Sequence, residues 1–248
     1  MSFLSEFVSQ LPMFLLRLPV VLFALSFHEA AHGFVAYKLG DPTARSLGRL
    51  TLNPAKHLDP LGFLSMVLFR IGWAKPVPIN TRYFKKPKRD MALCGAAGPL
   101  SNLALAIVFL IVLRLVMIPV SAAYPNGVVE NPDFAYMCVA LSVYVLYAGF
   151  ELNICLAIFN LIPLPPFDGS RIFYAFLPTK LYFGVMKYER IIMIVVMALF
   201  LFGILDVPLS LIMNGVEIGS FFATAMPFKV LYSMTNFVRF GLMPINFG

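Results

Sequence analysis

Residues 11–39 read LPMFLLRLPVVLFALSFHEAAHGFVAYKL. The stretch is longer than the roughly 20 apolar residues a helix needs to cross a bilayer. Its polar interruptions are few: Arg17, then the group His28, Glu29 and His32. Three further runs have spanning length. Residues 91–113 carry no charge, residues 134–167 carry only Glu151, and residues 191–211 carry only Asp206. Residues 61–69 are apolar but too short to span. Residues 218–247 are apolar but broken by Gly, Pro, Lys229 and Arg239, so they read as a further span or as a helix lying at the surface. Hydrophobic residues make up 60% of the 248-residue chain and charged residues 12%, against roughly 45–50% and 25% in soluble domains. With a mean hydropathy of +0.85, this excludes a disordered, a collagen-like or a water-soluble globular chain. The expected fold is all-α, a multi-pass transmembrane helical protein of four to six spans.

The formal net charge is +7. In a soluble protein that would raise nucleic acid as a partner. Here the bilayer is the expected partner and no nucleic acid is, because the charge lies in loops. Residues 40–90 hold ten basic residues and three acids, Asp41, Asp59 and Asp90, and residues 164–190 hold four more basic residues. Residues 119–133 hold no basic residue, but do hold Glu130 and Asp133. The positive-inside rule puts the first two segments in the cytoplasm and the third outside. The run Lys85, Lys86, Lys88, Arg89 reads as this topology signal or as a contact to anionic lipid. Cys94, Cys138 and Cys155 are scattered in apolar runs and form no disulfide framework. The first ten residues lack Lys and Arg, so no cleaved signal is expected.

Polar residues inside a span are costly and are retained for function. His28-Glu29-Ala30-Ala31-His32 has the H-E-x-x-H spacing, which brings both imidazoles to one face of a helix, within reach of one metal, with the Glu beside them as a base. The chain has three histidines in all. The competing readings are two satisfied interior histidines or a haem helix. A catalytic zinc takes three protein ligands and leaves one position open. For the third ligand His57 is one option and Asp168 the better one. Three prolines, Pro163, Pro165 and Pro166, end the helix before Asp168. An ionised Asp in such apolar company needs a cation, unless it is an ordinary Pro-x-Asp-Gly turn residue. With the helix ending near Lys38, the metal would lie ~15 Å below the cytoplasmic surface.

These motifs together resemble the site-2 protease family of intramembrane zinc metalloproteases. The resemblance rests on H-E-A-A-H, on Gly98-Pro99-Leu100-Ser101-Asn102 and on the run from Asn160 to Gly169. Residues 48–54 (GRLTLNP), 57–62 (HLDPLG) and 72–78 (GWAKPVP) extend it over about residues 20–175. It implies one transmembrane metalloprotease domain over 1–248, a short form without a PDZ or nucleotide-sensing domain. It also implies His28, His32 and Asp168 as zinc ligands, Glu29 as the catalytic glutamate and Asn102 as a motif asparagine near the site. Phe167 departs from the family, which often has Leu or Asn-Pro before Asp-Gly. The implied activity is cleavage of transmembrane segments of membrane-bound substrates.

Several expectations follow. Glu29 accepts a proton from the attacking water and passes it to the leaving amine. Asn102 donates to the oxyanion or substrate backbone, or else packs with the small Gly98 and Ser101. Residues 71–80 form a short re-entrant extended segment, which pairs with an unwound substrate or serves as an interfacial loop anchored by Trp73. The roles of Glu151 and Asn153 stay open. The compact chain is expected in a bacterial plasma membrane, with its active site toward the cytoplasm. The alternative function is a non-catalytic metal-binding membrane protein such as a transporter or pseudoprotease scaffold. An intact Glu29 discriminates between them, since a structural zinc site needs no base.

Overall fold

A backbone in hydrocarbon must satisfy its own hydrogen bonds, and a helix does so within one segment. The computed structural model describes residues 3–69, 72–125, 127, 129, 132–224, 228–236 and 238. Among these residues every regular element is helical: α1 (Phe3–Lys38), α2 (Thr43–Ser46), α3 (Pro60–Phe69), α4 (Pro87–Ala123), α5 (Phe134–Leu161), α6 (Gly169–Phe176), α7 (Thr179–Leu201), α8 (Asp206–Thr224) and α9 (Phe228–Asn236). Three helices among the described residues are long and apolar enough to cross a membrane: Leu11–Lys38 of α1, all of α4 and all of α5. The chain is an all-α, multi-pass integral membrane protein. Arg70, Ile71, Glu130 and Arg239, and parts of the run 218–247, lie outside the described residues.

The boundaries follow local chemistry. Gly40, at φ +105°, ends α1 in the left-handed region that glycine tolerates. Pro87 starts α4, where its missing N–H costs nothing. The Asp90 carboxylate reaches back to accept from the Lys86 N–H at 2.9 Å. This cap begins α4 one turn before its apolar run. The helix also continues past Arg114 to Ala123, ten residues beyond the charge-free stretch. The run 191–211, read as one span, is two helices. Residues 202–205 form a turn between α7 and α8, with Gly203 at φ +68°.

The chain divides into two compact units. One comprises Met1–Val21, Leu105–Leu152 and Ile212–Gly248; the other comprises Leu22–Ala104 and Asn153–Leu211. In the first, Leu113, Met117, Tyr136 and Tyr144 are fully buried, and Gly149 lets the Phe109 ring lie against α5. In the second, Ala36, Phe84 and Cys94 form a core with Val35, Leu39, Ile79 and Met91. That core joins the end of α1 to the start of α4.

Residues 72–80 contain no helix. They make one antiparallel bridge, Leu58 with Ala74. Gly62 permits the approach, since a Cβ there would overlap the Trp73 carbonyl oxygen and lie 3.0 Å from its ring.

Candidate metal centre

One helical turn separates His28 from His32 on α1, so their rings meet edge to face with centroids 4.6 Å apart. Their Nε2 atoms are 3.0 Å apart. Asp168 Oδ2 completes a triangle, 2.9 Å from His28 Nε2 and 3.1 Å from His32 Nε2. Among the described residues this is the group of His, Cys, Asp and Glu side chains placed to hold a metal ion. Two ligand atoms on one tetrahedral zinc stand about 3.3 Å apart, given bonds of about 2.0–2.1 Å. The triangle is close to that size before any ion draws on it.

The local chain explains how Asp168 arrives there. The prolines end α5 at Leu161, and the chain re-enters a helix at Gly169. Asp168 stands at the N-cap of α6, where an Asp side chain usually accepts from the helix N–H groups. Here it makes no cap hydrogen bond, and its carboxylate turns to the histidines instead. Gly169 allows the tight re-entry: a Cβ would overlap the Leu161 carbonyl oxygen and lie 2.5 Å from that of Ile162.

The rings are oriented from behind. His32 Nδ1 donates to the Cys94 carbonyl at 2.6 Å. His28 Nδ1 donates to Asn102 Oδ1 at 2.5 Å. Asn102 Nδ2 donates to Asn153 Oδ1 at 2.8 Å and to the Ala24 carbonyl at 3.4 Å, which turns its oxygen toward His28. Asn102 and Asn153 are fully buried. With both Nδ1 atoms carrying protons, the Nε2 lone pairs face Asp168 across a small gap. Two neutral imidazoles and a carboxylate in that array call for a cation.

Gly98 keeps the corner open. A Cβ there would overlap His28 Cε1 and lie 2.5 Å from both Nε2 atoms. Glu29 lies beside His28 but outside the triangle, and its Oε2 accepts from the Val77 N–H at 2.8 Å. The extended segment is strapped down around that contact. Arg49 Nη2 donates to the Lys75 carbonyl at 2.7 Å, Lys75 N–H to the His57 carbonyl at 2.8 Å, and Asn80 N–H to Asp41 Oδ2 at 2.7 Å.

His57 does not join the metal group. It is buried, and its Nε2 donates to the Thr51 carbonyl at 2.8 Å. Glu151 pairs with Arg17 in the other unit. Sequence reasoning left Asn153 without a role and read Gly98 only as a packing residue. A polar residue two turns before Asn160 in an apolar helix was the available signal for Asn153. No side-chain pattern could have pointed to the Cys94 carbonyl.

Comparison with known proteins agrees with this picture. The family model described as Peptidase family M50 matches residues 16–203. From Bacillus subtilis (strain 168), "Putative zinc metalloprotease YwhC" is 41% identical over 172 residues, 67% of this chain and 72% of its own length. "Putative zinc metalloprotease Rip2" of Mycolicibacterium smegmatis is 29% identical over 168 residues, 65% of this chain and 57% of its own. "Zinc metalloprotease MJ0392" of Methanocaldococcus jannaschii is 30% identical over 202 residues, 78% of this chain and 45% of its own. No solved structure matches the chain significantly.

Proposed function

The chain belongs to Peptidase family M50, and from that premise we propose that it is a zinc metalloendopeptidase cutting peptide bonds within or beside the transmembrane segments of membrane-bound substrates. The observation that carries the reading is the triangle of His28 Nε2, His32 Nε2 and Asp168 Oδ2, with Glu29 the next residue to His28 and outside the triangle. Three ligands with a base alongside is the catalytic pattern, whereas a structural zinc site closes with four.

His28, His32 and Asp168 would hold the zinc. When bound, zinc polarises the scissile carbonyl and lowers the pKa of the attacking water. Glu29 Oε2 takes a proton from that water and returns it to the leaving amine. The Val77 N–H donates to the Glu29 carboxylate, which supports a Glu29 held as an ionised base. Asn102 acts through His28: its oxygen holds the ring with Nε2 free for the ion, while its nitrogen is committed to Asn153 and Ala24. It is a positioning residue rather than an oxyanion donor.

A helical substrate must unwind before it is cut, and its freed backbone groups need partners. The non-helical backbone of residues 73–78, with Ala74 in an antiparallel bridge, supports pairing with such a strand. Substrates with Gly, Pro or Asn in the span are therefore cut faster than all-Leu spans; equal rates would remove this part of the reading. The basic segments 40–90 and 164–190 support a site facing the cytoplasm of a bacterial plasma membrane.

The test is cleavage of single-span substrates by purified protein in detergent, wild type beside Glu29→Gln, with zinc measured in both. Cleavage by wild type alone, with zinc in both, is expected. Zinc in both and cleavage in neither would favour a pseudoprotease scaffold. Absence of zinc from both would overturn the ligand set.

A further inference from the structure

At the basic end of α4 a cavity of about 630 Å³ opens between the first turns of that helix and α6. Its walls are apolar: Ala92, Leu93 and Ala96 from α4, and Ile172, Ala175 and Phe176 from α6. Its rim carries Lys86, Lys88 and Arg89. Lys88 Nζ also donates to the Leu177 carbonyl at 3.2 Å, which ties the end of α6 to the start of α4. Arg89 pairs with Asp90 at 2.7 Å. Three cations less that carboxylate leave two positive charges at the mouth of an apolar slot.

Each half of this cavity asks for something different from an occupant. A soluble anion would meet the rim and leave the slot empty. An uncharged apolar molecule would fill the slot and leave the rim unmatched. A zwitterionic lipid brings an ammonium that the rim repels. The cavity also lies at the terminus of a spanning helix, where headgroups meet hydrocarbon, and small side chains at 92, 96 and 175 leave room for an acyl chain. We propose that this groove is a binding site for an anionic phospholipid. The phosphate lies against Lys86 and Arg89, and one acyl chain runs between Ala92 and Ala96 on one side and Ile172 and Ala175 on the other. Ile172 is one helical turn on from Asp168, so the bound lipid braces the helix that the metal-corner carboxylate begins. The inference needs only the membrane placement of α4 and does not depend on the protease reading.

The experiment is native mass spectrometry of the purified full chain, equilibrated with equal amounts of dioleoylphosphatidylglycerol and dioleoylphosphatidylcholine. Wild type is expected to retain the anionic lipid about 25-fold over the zwitterionic one, given about fivefold for each of two positive charges near a lipid surface. Lys86→Ala/Arg89→Ala brings that ratio close to one. Ala96→Phe, which fills the slot and keeps the charges, lowers retention of both lipids. Should Ala96→Phe fail to fold, as judged by thermal unfolding, Ala92→Leu makes the same test. Equal retention of the two lipids by wild type would overturn the proposal, as would an undiminished ratio in the charge variant. Displacement of the lipid by millimolar glycerophosphate alone would reduce the site to one for a simple anion, and would also overturn it.

Discussion

Among the described residues, the Arg17–Glu151 pair and the His28–His32–Asp168 group are polar clusters built on opposite principles. In one unit Arg17 of α1 donates to the Glu151 carboxylate of α5 at 3.1 Å and to the Tyr144 hydroxyl at 2.7 Å, with the guanidinium over the Tyr144 ring. Cation and anion cancel, and the cluster is complete as it stands. In the other unit His28, His32 and Asp168 point acceptor atoms at one another, and the groups behind the rings hold them in that attitude. This array could hold a metal ion, and the proposed function has a cation from outside the chain complete it. A buried polar group in a membrane helix therefore does not mark chemistry unless its charge is left open.

Substitutions can break or sharpen that contrast. The largest effect is expected at Gly98→Ala, whose Cβ takes the space between the two Nε2 atoms. Bound zinc, measured by atomic emission, should be lost together with all proteolysis; retention of zinc would mean the corner is not where the ion sits. Glu29→Gln leaves the ligands intact. Turnover should fall by about 10³-fold or more, toward the upper end of what general base catalysis contributes, with zinc content unchanged.

Asn102→Ala frees the His28 ring without touching the triangle. Zinc affinity, titrated against a chelator, should weaken by about 10–100-fold, as is usual when a ligand loses its orienting partner. Asn153→Ala, one step further back, should weaken it less, and an equal loss would show that the two asparagines act as one unit. At the closed cluster the effect falls on stability instead. Arg17→Met alone removes the cation that faces Glu151 and should cost about 1–3 kcal/mol, less than a fully buried pair because each side chain is about 30% exposed. Arg17→Met/Glu151→Met together should restore stability to near wild type and leave proteolysis unchanged. A loss of cleavage in the double variant would erase the distinction between the two clusters.

The two clusters also differ in how legible they were. H-E-x-x-H is a local spacing, and helical geometry converts it to one face without knowledge of anything else. Asp168 was legible from its company, since an ionised side chain after three prolines in an apolar run has to be satisfied somewhere. Arg17 and Glu151 were each visible as a charge in a span, but their sequence separation of 134 hid the pairing. A separation of 51 likewise hid the bond from Asn102 to Asn153. The break at residues 202–205 escaped because its apolar residues leave no trace in hydropathy, and Gly203 alone marked the turn.

Hydropathy and helical period are properties of neighbouring residues. They are enough for the membrane class, the helices α1, α4 and α5, and the pairing of His28 with His32 on one face. Which group satisfies each buried polar atom is a matter of long-range contact. The Asp168 carboxylate turned away from its own helix, the Cys94 carbonyl behind His32, the space over Gly98 and the Val77 N–H on Glu29 exist only once the segments are packed. Local chemistry selects the atoms for the centre, and packing decides which of their charges is left for an ion to complete.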